Sequence, residues 1–482
     1  MKRSTSAQTI ARMGSIIGAI AALLFGSIAS VRAFQFEELL QRRECSDCNL
    51  DGENLREQFL RDVDLRDANL QDTDLRDADL RGADLRRADL RNVDLRRADL
   101  RDVDLLGADL RGADLRGTLI ERSQLSRKWL QVWQIANDRI QAGTDLSGTD
   151  LSGAYLVEAQ LGRTILNEAN LQEANLKNSN LYAVELNRAD LQEANLFLAN
   201  LQEAQLQAAH LMKASLNETN LSNADLRGAN LNQANLSGAD LRWADLSCPQ
   251  SDEETLPCTR LEKANLMGAN LQNANVSGAL LKEANLEGAD LRWANLNGAD
   301  LQDIELNRVN LDGASLRRAN LPEADLTFIF ADELDLSQAN LEKANFTGVN
   351  WGGLGMELAG AYLEGANLRE ANVSENNLTR AILAEADLEN AILIGTQLQG
   401  ASLEEANLRG ANLTGASLDD ASLQGADLRE ADLTGASLNG AFLQGADLRE
   451  ANLTDVDLAG VSLRGVKLCG AIFSAGNPYA DC

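Results

Sequence analysis

The sequence predicts an all-β solenoid, a parallel β-helix of square cross-section with short capping and inserted helices. Three observations predict it. A large apolar residue, nearly always Leu, recurs at every fifth position over most of the 482 residues. A longer period of 20 lies on top, clearest where residues 408–427 and 428–447 match at 15 of 20 positions. Within each 20-residue unit, Ala-(Asp/Asn/Ser)-Leu-X-X is written four times. Five suits neither the helical period of 3.6 nor the strand period of 2. It becomes regular if every five residues end in a turn, and four right-angle turns close a square. Such a chain grows by adding coils and needs no new core, so its length does not imply the usual three domains.

Residues 1–33 read as an export signal or a membrane anchor. Lys2, Arg3 and Arg12 precede an uncharged run from Met13 to Val31. Ser27-Ile28-Ala29 and Val31-Arg32-Ala33 both offer a cleavage pattern, while the length of the run also suits an uncleaved span. In both cases the body lies across a membrane from the basic end. Residues 34–49 follow as a capping helix, with Phe36, Leu39 and Leu40 on one face, and a Cys45-Ser46-Asp47-Cys48 motif.

The first solenoid segment is expected over 50–118. Ala or Val sits two positions before each central Leu, and both point inward. Asp stands before the centre and Arg after it, as at Asp84/Arg86 and Asp89/Arg91. Stacked coils about 4.8 Å apart line up like charges, and interleaved Arg columns neutralise the Asp columns. Arg87, Arg97 and Glu173 occupy the second place after the centre, where Gly also occurs. The expectation drawn is a turn that tolerates negative φ.

Residues 119–145 interrupt the repeat with a helix over Ser126–Ala142. Trp129, Leu130, Trp133, Ala136 and Ile140 are expected on one face, with Ser126 and Gly143 at the ends. A second segment covers 146–346, with Asn often replacing Asp. Inside it, residues 247–258 carry two prolines and lose the pattern; a Cys248–Cys258 disulfide is expected to pinch them out as a loop that preserves register. Residues 347–361 read as an irregular junction and 362–473 as a third segment. Residues 474–482 are a cap, closed by a Cys469–Cys482 bond. About 78 centres imply about 19 coils, roughly 90 Å of stacked rungs.

The repeated pattern, as in Gly228-Ala229-Asn230-Leu231 and Gly425-Ala426-Asp427-Leu428, resembles the pentapeptide repeat family. That resemblance implies a right-handed quadrilateral β-helix. Cys45-x-x-Cys48-Asn49-Leu50 and the Lys128–Ile135 helix look like features of exported members in photosynthetic bacteria, which favours a thylakoid lumen or periplasm. Most members have no known activity, and some mimic DNA and inhibit gyrase. An acidic rod invites that comparison; an export signal argues against it.

The function read here is that of an exported, non-enzymatic structural or protein-interaction scaffold with an unidentified protein partner. A formal charge of −29 repels nucleic acid and anionic lipid, so membrane contact is expected only through residues 13–31. Open solenoid ends leave a homo-oligomer as an expectation. Two alternatives remain: a nucleic-acid mimic in the cytosol, and a thiol-redox protein acting through Cys45 and Cys48. No metal, cofactor or catalytic set is expected. The single histidine, His210, stands alone at an outward position. Contact residues expected are Trp129 and Trp133 on the helix, the 247–258 loop, and a column of Arg369, Arg409, Arg429 and Arg449, beside a column of Thr414, Thr434 and Thr454.

Overall fold

The computed structural model describes residues 39, 41–249, 256–458 and 460–474. They form two compact units. One holds the chain up to Leu181 with Glu193–Leu196; the other holds Tyr182–Gln192 and Phe197 onward. Both are β-solenoids.

In the first unit the residue before each centre pairs in parallel with the residue 20 positions on, as in Asn49↔Asn69, Asn69↔Asp89 and Asp89↔Asp109. There are four such bridges per 20 residues, one per side. The rung at residues 65–69 shows how all five N–H groups are satisfied. Leu65 N–H donates to Asp84 O (2.9 Å), Asp67 to Arg86 O (3.0 Å) and Asn69 to Cys48 O (2.8 Å), all between coils. Ala68 N–H closes the turn on Leu65 O (3.2 Å). The remaining donor, Arg66 N–H, goes to the side chain of Asp64 (3.2 Å). Buried backbone donors must be paired, and here the fifth partner is the carboxylate before the centre. This is the reason Asp or Asn stands there, since each can accept from the backbone two residues on.

The turns correct one expectation. They place the second residue after the centre at positive φ: Arg87 and Arg97 at 60° and Glu173 at 55°. This is a type II turn, which requires a left-handed residue at that place. Charged residues accept it because their side chains leave the crowded backbone for solvent, at a cost of about 1 kcal/mol each. The same conformation aims the N–H of that residue at the next coil. No Val, Ile or Thr among the described residues takes positive φ.

Inside, the centres and the small residues are dry. Leu65, Leu85, Ala68 and Ala98 are fully buried. Leu stacks on Leu along each side, and Ala keeps the corner open enough for the turn.

The ladder halts at Asp99↔Leu119 and resumes at Asp145↔Ile165. Gly112 N–H meets Gly153 O (2.7 Å) across the inserted residues, so stacking continues within this unit. The insertion contains a short 3-10 turn, Arg122–Gln124, and α1, Arg127–Ala136. Ser126 caps α1 as expected, accepting from Trp129 N–H. The far end differs from expectation: α1 stops at Ala136 with Asn137 as its cap, so Ile140 and Gly143 lie beyond it. The buried residues are Val132 and Ile135, with Trp129, Leu130 and Trp133 half-buried beside them.

In the second unit the pairing step widens from 20 to 30 at Asn230↔Arg260 and Asp245↔Asn275, then returns to 20. Ten residues have been expelled from the coil. Cys248 and Cys258 are bonded at the neck, with Cα atoms 4.1 Å apart. Buried Thr259 closes the neck from below, donating to Leu226 O (3.1 Å) and accepting from Gly228 N–H (3.0 Å). Glycine suits position 228, where φ is 74° and a Cβ would stand only 3.1 Å from Pro257 O.

The stretch 347–361 is coil rather than a junction. The step becomes 22 at Asp335↔Glu357, Asn340↔Tyr362 and Asn350↔Asn372, which is a normal rung with two extra residues on one side. Trp351, a centre, packs edge-on against Phe346 at 5.4 Å. Asn376 repairs the ladder where the extra residues open it. It sits at an inward Ala position, 1% exposed, donating to Trp351 O (2.9 Å) and accepting from Met356 N–H (3.1 Å). The last pair, β1 (Asn452–Leu453) and β2 (Ile472–Phe473), is parallel like the rest.

At the beginning of the solenoid, Leu39, Gln41 and Arg42 are helical and Leu39 is buried. Phe36, Leu40, the 1–33 segment and the Cys469–Cys482 pairing lie outside the described residues. No described helix is long and apolar enough to cross a membrane.

Candidate interaction surfaces

The outward positions are where function has room, because the inward ones are fixed by packing. In the first unit these positions form an ion-pair lattice. Arg86 holds Asp84 with two bonds, Nε to Oδ1 (2.8 Å) and Nη2 to Oδ2 (2.5 Å), and the arrangement recurs at Arg76/Asp74, Arg91/Asp89 and Arg101/Asp99. The pairing is chiefly within one coil, two residues apart; most contacts from these arginines to the next coil are longer, as at Arg86–Asp104 (3.6 Å), with Arg61–Asp79 (2.6 Å) the exception. A second set spans coils, Arg87 on Asp67 and Arg97 on Asp77. The hydrogen bond from Arg66 holds the Asp64 carboxyl below its usual range, and Arg86 does the same for Asp84. Most carboxylates before a centre thus have a guanidinium two residues on, Asp104 being an exception with Leu106 at that place, and the wall is a mixture of both signs.

The Arg column is spoken for in the same way. Arg429 and Arg449 hold Asp427 (2.5 Å) and Asp447 (2.7 Å), and Arg409 holds Glu430 (2.7 Å). Arg369 reaches Asp387 (3.2 Å) and Glu389. Asp447 is pulled down to about 2 by its bond from Arg449. The hydroxyls of Thr414, Thr434 and Thr454 bond back to Asn412, Asp432 and Asn452. These columns are internally satisfied walls.

Helix α1 faces its own coil. Trp133 Nε1 donates to Thr118 Oγ1 (3.0 Å), and Asn137 Nδ2 donates to Leu115 O (3.1 Å) while its Oδ1 receives Gly117 N–H. Gln124 Nε2 reaches Val103 O (2.9 Å). These carbonyls and N–H groups belong to rungs whose next coil the insertion displaces, so the helix completes the ladder's hydrogen bonds. Trp129 lies under Lys128, whose Nζ is 5.1 Å from the ring centroid and also reaches Ser152 (2.7 Å).

Cys45 and Cys48 are bonded to each other and buried, 7% and 5% exposed, with Cys48 Sγ against Cys45 O. The motif is an inward staple of the first rung. His210 is exposed in the column Asp190–His210–Asn230. It lines a cavity of about 490 Å³ with Arg188, Arg260 and Pro257 at the foot of the disulfide loop. No group of His, Cys, Asp and Glu among the described residues has the arrangement of a metal site.

Exposed large apolar side chains were not anticipated and they are unevenly placed. In the second unit one wall runs through Asn200, Asn220, Asp240, Asn270, Asp290, Asn310 and Phe330, then Asn350, Asn372, Ile392 and Asn412. Phe330, Ile392, Ile394 and Ile472 stand on it. Leu198 and Phe328 stand on the corner leading in, and Trp243 and Trp293 on the corner leading out. Of the unit's exposed large hydrophobics, the others among the described residues are Met267, on the preceding wall, and Tyr362 and Phe442, on the opposite wall. The signal was available in the sequence: Ala-Asp-Leu-Arg-Trp-Ala occurs at both 239–244 and 289–294.

The profile of pentapeptide repeats matches most of the chain, over residues 44–117, 144–247, 260–350 and 357–474. Among solved structures, a pentapeptide repeat protein from Nostoc sp. strain PCC 7120, HetL, involved in heterocyst differentiation regulation, is 28% identical over 65% of this chain and 90% of its own, with a TM-score of 0.19. A pentapeptide repeat protein from the Arabidopsis thaliana thylakoid lumen is 30% identical over 24% of this chain and 75% of its own (TM-score 0.14). QnrB1, a plasmid-mediated fluoroquinolone resistance protein, is 17% identical over 58% of this chain and 89% of its own (TM-score 0.15). No curated protein matches. With its repeats matched across all but the inserted segments and the termini, the chain belongs to the pentapeptide repeat family.

Proposed function

We propose that this protein is a non-enzymatic scaffold that works by protein–protein contact. The observation that carries the reading is the asymmetry of the second unit. Its interior is uniform, its polar columns largely satisfy one another, and most of its exposed aromatic and aliphatic residues gather on one wall and the two adjoining corners. Exposed apolar groups held on a rigid frame are the usual mark of a contact surface. The coils wind right-handed with about 19 rungs, as the family's pattern implies.

The chain acts on the far side of a membrane, in a periplasm or thylakoid lumen, with residues 13–31 as a cleaved signal or an anchor. The bonded pairs Cys45–Cys48 and Cys248–Cys258 support this placement, since such bonds persist in oxidising compartments. Cross-linking the full-length protein in its native compartment, followed by affinity capture, tests the function. A partner lost on changing Trp243 and Trp293 to Ser supports it; capture that is indifferent to every change on this wall overturns it. Fractionation with N-terminal sequencing tests the location, and an intact N-terminus in the cytosol overturns it.

A further inference from the structure

The apolar wall contains a hollow of about 490 Å³. It arises from two departures from the repeat. Ala331 stands at a centre, where Leu is usual, and leaves its side short of volume. On the next rung the two extra residues carry Leu354 outward beside the centre Trp351. The hollow is floored by Ile329, Ala331, Trp351 and Leu354, and Phe330 stands at its edge, 60% exposed.

The charge beside the hollow is equally unusual. On this wall the place after the centre holds Arg242 and Arg292, each bonded to the Asp two residues before it. On the next two rungs that place holds Asp312 and Asp332, which both line the hollow. Neither carboxylate has a hydrogen bond or an ion pair among the described residues. Arg292, one rung back, acts on Asp312 only through space, its own guanidinium being bonded to Asp290. Rungs are about 4.8 Å apart, so two like charges stand together with no guanidinium bonded to either. Trp293 lies alongside; its ring covers Gly313, where a Cβ would meet it at 2.2 Å.

We propose that this hollow docks a segment of a partner protein that presents an apolar side chain next to a lysine or arginine. The apolar side chain fills the space left by Ala331, and the cation settles between Asp312 and Asp332. The chain's charge of −29 draws such a segment in from a distance. This inference rests on the scaffold reading and narrows it to one site and one chemistry.

The test uses the full-length protein and a fluorescent peptide, Lys-Lys-Ser-Leu-Phe-Ser-Lys-Lys, followed by anisotropy at physiological salt. Two control peptides replace Leu-Phe by Ser-Ser, or every Lys by Glu. The parent peptide is expected to bind best. Phe330→Ser, at an exposed position that leaves the core intact, is expected to weaken it about tenfold, as truncation of a central aromatic does. Asp312→Asn with Asp332→Asn is expected to weaken it and flatten its salt dependence. Unchanged melting of the variants shows that the fold is kept. The proposal is overturned if the Ser-Ser peptide binds equally well, if Phe330→Ser binds undiminished, or if the parent peptide does not bind at millimolar concentration. It is also overturned if Phe330→Ser instead abolishes self-association in sedimentation, or binding to phosphatidylcholine vesicles. Peptide failure together with a cross-linked partner that Phe330→Ser still captures removes this site and leaves the scaffold reading standing.

Discussion

Residues 60–116 and residues 260–300 build the same rung from the same buried leucines, yet their walls are held by different chemistry. In the first region Asp precedes the centre and Arg clasps it, as at Asp89/Arg91. In the second, Asn precedes the centre and hydrogen-bonds along the column, as at Asn265 to Asn235 (3.2 Å) and Asn295 to Asn275 (3.1 Å). Both residues accept the backbone N–H two positions on, at Arg91 (3.2 Å) and at Met267 (3.1 Å). The rung therefore favours an acceptor at this place and is indifferent to its charge, while exposed apolar residues such as Phe330 and Ile392 stand there as exceptions. Charge is settled afterwards: carboxylates require cations between them, whereas amides pair with one another.

The comparison can be broken most forcefully where the regions are alike. Leu90→Ala and Leu286→Ala each remove a fully buried centre and are expected to cost about 3 kcal/mol in both regions, read as equal losses in denaturant midpoint. A marked inequality would mean that the walls, and not the core, set local stability. Next comes Asn376→Ala. It strands Trp351 O and Met356 N–H in the interior, at about 1–3 kcal/mol. Hydrogen exchange should rise around residues 351–358 and stay unchanged at the ordinary Asn columns.

A smaller effect sharpens the contrast between amide and carboxylate. Asn275→Asp discards the bond to Asp245 (3.2 Å) and places a charge beside it, costing about 1 kcal/mol. Adding Ser277→Arg rebuilds the clasp of the first region and should restore the melting temperature. Smallest is Arg86→Ala, expected below about 1 kcal/mol for a single exposed pair. Collectively these pairs show in acid. The carboxyls of Asp64, Asp74, Asp84 and Asp89 sit below their usual range because Arg bonds hold the charged form. A lowered folded value means that the stabilisation is complete above about pH 4 and is lost as pH falls through that value. Hydrogen exchange at pH 3 should open residues 60–116 before residues 260–285, and molar salt should narrow the gap.

The periods of five and 20, the inward Leu and Ala, the expelled loop and the Ser126 cap were readable because each follows from volume or from a single hydrogen bond. The left-handed turn was readable too, by a sign easily passed over. The second place after the centre carries Arg, Glu, Trp and Gly but never Val, Ile or Thr, the residues that tolerate positive φ least. The acceptor role of Asp64 was hidden because its charge suggested a sufficient reason for it. Helix α1 was placed by its tryptophans, yet Val132 and Ile135 bury completely while the larger rings keep an edge in water. Asn376 and the hollow at Ala331 were legible only as exceptions, a polar residue where Ala belongs and an Ala where Leu belongs. Their meaning depends on the neighbouring rung, some 20 residues away, which a linear reading does not bring alongside.

The neck at Cys248 and Cys258 has a consequence for how such chains change over time. Its two Cα atoms stand 4.1 Å apart, and the rungs on either side keep their pairing across it. A segment of any length can enter or leave at that point with the solenoid none the wiser. The closed neck is a ready-made port, through which evolution or an engineer can exchange a whole folded module while leaving the frame that presents it untouched.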